Sequence, residues 1–113
     1  MRLACFLPVA VIVTMAAPQA SADTIELTFE NGAFHPDHVT APAGQKLHFR
    51  IHNGDSRPFN FEIEELRITP KVKPGAVVDA RSMSAPQPGV YRFIAEFPGV
   101  DEDKSPGGQL EIK

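Results

Sequence analysis

Apolar and polar residues alternate along most of this chain. In TIELTFE, Ile25, Leu27 and Phe29 fall on one side and Thr24, Glu26, Thr28 and Glu30 on the other, which is the period-two signature of a half-buried strand. KLHFRIHN repeats it, with Leu47, Phe49 and Ile51 inward and Lys46, His48, Arg50 and His52 outward. FNFEI sets Phe59, Phe61 and Ile63 against Asn60, Glu62 and Glu64. AVVDARSM and VYRFIAEF read as strands separated by the APQPG turn, and GQLEIK as a last strand with Leu110 and Ile112 inward. Within YRFIAEF, Tyr91, Phe93, Ala95 and Phe97 share one face and Arg92, Ile94 and Glu96 the other. Between these runs lie turn signals: NGAFHPDH, the Pro-Ala-Gly of VTAPAGQ, NGDSRP, Pro70 and Pro74-Gly75. No segment carries a helical repeat, and 11 prolines in 113 residues argue against one. About seven to eight short strands, with turns about every eight to twelve residues, predict an all-β sandwich.

The amino-terminal segment follows a different rule. Arg2, an apolar run over residues 3–17 and the small-residue pattern Ala20-Ser21-Ala22 predict a secretory signal over residues 1–22, with Asp23 as the new amino terminus. The apolar run is shorter than the roughly 20 residues of a membrane span. Cleavage would remove Cys5, the only cysteine, so the domain over residues 23–113 must hold together by packing alone. About 90 residues suffice for one small domain. Acidic residues outnumber basic ones by 14 to 11 and the basic ones are scattered, which excludes a nucleic-acid surface. The mature segment has no cysteine and no Gly-x-Ser-x-Gly, which excludes nucleophilic hydrolysis.

Taken in order, F-x-P in FHP, V-x-A-P-A-G in VTAPAG, N-x-D-x-x-P in NGDSRP, then K-P-G, P-G-x-Y-x-F and a closing G-x-L-x-I form a series from about Thr24 to Lys113. The series resembles the cupredoxins, most closely the EfeO-type cupredoxin-like domains of exported bacterial proteins, often found alongside iron-uptake systems. The resemblance implies a single cupredoxin-like Greek-key β-sandwich in the periplasm.

A blue-copper site needs two imidazoles, a thiolate and a weak axial thioether. By the resemblance the first histidine falls on Phe59, the cysteine on Ala95 and the second histidine on Pro98, and no methionine follows Met83. The resemblance therefore implies no type 1 copper. A second branch carries E-F-E-S after the loop and an acidic residue followed by F-H near the end. Here Glu62 keeps the second acidic position with Asn60 at the first, and Glu96 keeps the later one with Pro98 at the histidine. The branch's early histidine falls on Gly32, with His35 three residues on. The implied metal ligands are Glu62, Glu96 and His35, an oxygen-rich set suited to a loosely held copper or iron ion.

The expected role is an accessory in iron or copper handling, whose partners are the metal ion and a membrane iron-uptake permease or another periplasmic protein. The resemblance also permits ferrous-iron oxidase activity, weakened by the missing ligands. The alternative is a module without metal, in which Phe59, Ala95, Phe97 and Pro98 fill the former site with apolar surface that docks a partner. Blander readings compete for each residue: a solvated strand face for Glu62, an ion pair with a nearby arginine for Glu96, and a turn for His35 and His38 beside Asp37. His48 and His52, four apart on one strand, stand roughly 13 Å apart, too far to chelate one ion. DEDKSP lacks the glycine and terminal glutamate of a calcium loop, but with Glu96 it would form an acidic edge that meets a cation or a basic partner.

Overall fold

Alternation becomes strand wherever it was expected, over residues 24–113, which a computed structural model describes. The export signal expected over residues 1–22, Cys5 included, lies outside the described residues. The strands are β1 (Thr24–Glu30), β2 (Ala33–His35), β3 (His38–Ala41), β4 (His48–Asn53), β5 (Phe59–Glu62), β6 (Lys71–Val72), β7 (Val77–Arg81), β8 (Gly89–Glu96) and β9 (Gly107–Ile112). Short 3₁₀ turns at Glu64–Leu66 and Glu102–Lys104 complete the described elements.

One sheet has the order β2-β1-β4-β7 and the other β3-β9-β8-β5-β6. β1 runs parallel to β4 and β3 parallel to β9, while the remaining pairs are antiparallel. The described strands exceed the expected seven to eight by the short edge strands β2 and β6. The first arises because Asn31 and Gly32, at φ 53° and 75°, make the two-residue turn that matches strand twist. That turn is held from a distance: the Asp55 carboxylate accepts the backbone N–H of Asn31 at 2.8 Å and of Gly32 at 2.9 Å. His35 and His38, expected in a turn, instead end β2 and open β3.

Inward residues of both sheets make one core, with Phe49, Phe61, Phe93, Ile51 and Leu110 fully buried. Part of it is an aromatic cluster. The Phe29 ring lies 4.9 Å from Phe34 and 4.8 Å from Phe59, and Phe34 lies 5.1 Å from Phe93, within the range of favourable edge and tilted contacts. At Gly108 the backbone passes so close to the Asp37 carbonyl and the Phe93 ring that a Cβ would collide with both, so glycine there lets β9 close over β8.

Among the described residues, the one fully buried side chain that is polar explains the N-x-D-x-x-P motif. Asn53 Nδ2 donates to the carbonyls of Arg57 at 2.7 Å and Val72 at 3.2 Å, and Oδ1 accepts the N–H of Asp55 at 2.9 Å. The side chain thus ties the loop before β5 to β6, supplying partners for backbone groups that burial removes from water.

Candidate metal centre

β5 and β8 pair antiparallel with Asn60 opposite Glu96, Phe61 opposite Ala95 and Glu62 opposite Ile94. Phe61 and Ala95 point into the core, so Asn60, Glu62, Ile94 and Glu96 share the outer face. Glu62 and Glu96 are therefore diagonal neighbours, a spacing of about 7–8 Å between backbones that long side chains bridge. Their carboxyls share a hydrogen bond. That bond is the main reason the Glu62 carboxyl is pushed up to about 7, with partial burial next and the charges of Glu96, Glu102 and Glu64 adding to it.

Two further carboxylates reach this spot from turns. Glu64 opens the 3₁₀ turn after β5 and Glu102 opens the one in the loop after β8. Oxygens of Glu62, Glu64 and Glu102 lie within 4.8 Å of one another. Together with Glu65, Arg92 and Ile94 they line a cleft of about 160 Å³. Arg92 does not neutralise it by pairing with these carboxylates. Its Nη1 donates to the Glu102 carbonyl at 3.1 Å and its Nη2 to the Ser105 carbonyl at 2.8 Å, which pins the acidic loop beside the sheet.

Of the three residues expected to hold a metal, the fold joins Glu62 and Glu96. His35 stands on β2, exposed on the outer face of the other sheet, with the core between it and the carboxylates. Glu64 and Glu102 were not expected as ligands. For Glu102 the signal was the acidic DEDKSP run directly after the strand carrying Glu96; for Glu64 it was proximity to Glu62, hidden because strand alternation places Glu64 further along the sheet rather than in a turn that folds back.

Such a shared proton has a consequence for stability. The folded Glu62 carboxyl holds its proton up to about 7, against an ordinary value of 4.5. The proton's stabilising contribution is thus complete below about 4.5 and is lost as pH rises through about 7. Urea midpoints should fall between pH 5 and pH 8, and Glu62→Gln should flatten that slope. Equal slopes for the two proteins would contradict the shared proton.

At the adjoining end of the sandwich lie the residues that the resemblance set at the copper ligands. Phe59 is 2% exposed, Ala95 0% and Phe97 6%, so these side chains are core and not a presented surface. The Phe59 and Phe97 rings are 6.0 Å apart, and the Arg57 guanidinium carbon sits 4.2 Å from the centre of the Phe97 ring. Pro98 is exposed. With Pro58, Phe59, Asn60, Lys71 and Glu96 it lines an open groove of about 300 Å³. Phe59 and Pro98 thus border a common groove, whereas Ala95 is buried in the core and does not line it.

Residues 3–107 match the family model of the cupredoxin-like domain. The chain belongs to the cupredoxin-like domain family. No curated protein matches this cupredoxin-like chain. Among solved structures, reduced auracyanin from Roseiflexus castenholzii is 19% identical with a TM-score of 0.64, over 80% of this chain and 96% of that one. The metal binding domain of the Streptococcus pneumoniae Cu(I) exporting P-type ATPase CopA, with Cu(I), is 16% identical with a TM-score of 0.67, over 80% and 84%. The periplasmic domain of subunit II of cytochrome oxidase from Bradyrhizobium japonicum is 10% identical with a TM-score of 0.64, over 81% and 85%. At these identities the likeness establishes the cupredoxin fold.

Proposed function

We propose that this cupredoxin-like protein is an exported accessory of metal handling that binds a copper or iron ion loosely through carboxylates, as in the EfeO-type branch. The observation that carries this reading is the convergence of Glu62 with Glu96, Glu64 and Glu102. Clustered carboxylates repel one another, and a cation relieves that repulsion while taking the place of the shared proton. Oxygen donors suit hard and borderline ions such as iron and Cu(II). The copper-site end of the fold offers a different donor set: Phe59, Ala95 and Pro98 have no nitrogen or sulfur to give, so the residues present do not fit a type 1 copper. Copper bound here would be held by oxygen, without the thiolate that makes blue-copper proteins blue.

Export is supported by the amino-terminal pattern of Arg2, the apolar run and Ala20-Ser21-Ala22. A periplasmic neighbour with the same fold is consistent with it. A membrane iron-uptake permease is the partner class that the EfeO-type resemblance suggests.

Calorimetric titration of the purified protein with Cu(II), and with Fe(II) under anaerobic conditions, tests the site. Saturable binding is expected, weakened at least about tenfold in Glu62→Gln or Glu96→Gln, with no intense blue absorption on adding copper. Unchanged binding in both variants would remove the proposal.

A second reading, in which the copper-site end docks a partner protein, is favoured by the groove between Pro58 and Pro98. Burial of Phe59, Ala95 and Phe97 leaves it less exposed apolar area than this docking reading expects.

A further inference from the structure

We propose that His35, His52 and Glu30 form a second metal site on the outer face of the four-stranded sheet, separate from the carboxylate centre and suited to Cu(II), Ni(II) or Zn(II). Strand register makes the case. On β1, Thr28 is paired with His52 of β4 on one side and His35 of β2 on the other. Leu27, Phe29, Phe34, Ile51 and Asn53 are buried beneath, so Thr28, His35 and His52 all face outward in one row. Two interstrand steps separate the histidines, about 10 Å between backbones. An imidazole reaches far enough from its backbone for two of them to meet one ion across that gap, given metal–nitrogen bonds of about 2.0–2.1 Å.

Glu30 completes the set. It follows Thr28 by two residues on the same face and pairs with Ala33, which places it diagonal to both histidines at about 7–8 Å. Its side chain leans over Gly54, where a missing Cβ leaves room. Asp55 clamps the turn joining β1 to β2, so the backbone of this hairpin holds its register.

Neighbouring charges leave the three residues available. His48, in the next row but one, is engaged: Nε2 meets Asp79 at 3.0 Å and Nδ1 meets Thr24 at 3.1 Å. Arg50 between His48 and His52 is balanced by Glu26 at 3.7 Å and Asp79 at 3.4 Å. Among the described residues, His35, His52 and Glu30 have no side-chain hydrogen bond or ion pair. Their donor atoms do not converge as they stand. All three are exposed, so rotation about side-chain torsions brings them together without moving the sheet. Two imidazoles and one carboxylate make a softer set than the all-oxygen centre, so the two sites should sort ions differently.

Electron paramagnetic resonance of the Cu(II)-loaded protein, combined with calorimetry, tests this site independently of the carboxylate centre. Wild type should show coupling to two imidazole nitrogens. His35→Gln and His52→Gln should each lose one nitrogen and weaken Cu(II) binding at least about tenfold, while Glu62→Gln leaves the nitrogen coupling intact. Thr28→Lys, which keeps every ligand but sets a cation among them, should weaken binding as well. Circular dichroism confirms that each variant is folded. Two-nitrogen coupling that survives in His52→Gln, or that disappears only in His38→Gln or His48→Gln, would overturn the proposal.

Discussion

Phe29→Ala should destabilise the protein by about 3–5 kcal/mol, the usual cost of emptying an aromatic position in a core that cannot collapse around the void. Phe29 joins the aromatic cluster across the two sheets, touching Phe34, Phe59 and Phe97 with ring centres 4.9, 4.8 and 5.9 Å away. Those partners come from both sheets, so the void would open between layers. Small domains have total stabilities of about 5–15 kcal/mol, and no cysteine is present among residues 24–113 to cross-link the fold. Calorimetry should show a melting temperature lower by at least about 12 °C. A drop of under about 1 kcal/mol would mean that the rings repack freely, and that the aromatic packing around Phe29, Phe59 and Phe97 is not what holds the sheets together.

Asn53→Ala should cost about 3 kcal/mol although it removes only three heavy atoms from the amide group. The Arg57 and Val72 carbonyls and the Asp55 N–H each lose a partner, and a buried polar group left unsatisfied costs about 1–3 kcal/mol. Water reaches the partly buried ones, which keeps the total below the sum. The damage should also travel. Asp55 clamps the Asn31-Gly32 turn, and Arg57 stacks on Phe97, so releasing this loop should speed hydrogen exchange at the Asn31 and Gly32 amides. Urea unfolding measures the first effect and exchange mass spectrometry the second. If stability falls while those amides stay protected, the loop does not hold the hairpin.

The pH response of Glu62 and the cation titrations depend on the same packing at longer range. Loosening the Asn53 loop would shift β5, and with it the register that sets Glu62 beside Glu96. Asp79 is a contrasting case on the other sheet: the hydrogen bond from His48, aided by Arg50, holds its carboxyl below the ordinary carboxylate range, yet it is exposed to solvent. Screening there leaves little effect on folding.

Alternation in TIELTFE, KLHFRIHN, FNFEI and YRFIAEF was enough to place each inward residue, because a strand's two faces are a property of the local backbone with a period of two. The family also followed from local material, the ordered turns from FHP to G-x-L-x-I. Glu62 and Glu96 could be picked out the same way. Their meeting could not, since it depends on Asn60 lying opposite Glu96 in a pairing between residues far apart in the chain. Glu64 and Glu102 joined them through 3₁₀ turns whose direction alternation does not encode. His52 stands too far along its own strand from His48 to share an ion with it, whereas its neighbour across the sheet is His35, a relation that exists only once β1 lies between them. Which side of a strand a residue takes is thus settled within a few bonds, but which residues share that side at contact distance is settled by register, and register is a property of the whole packed sandwich.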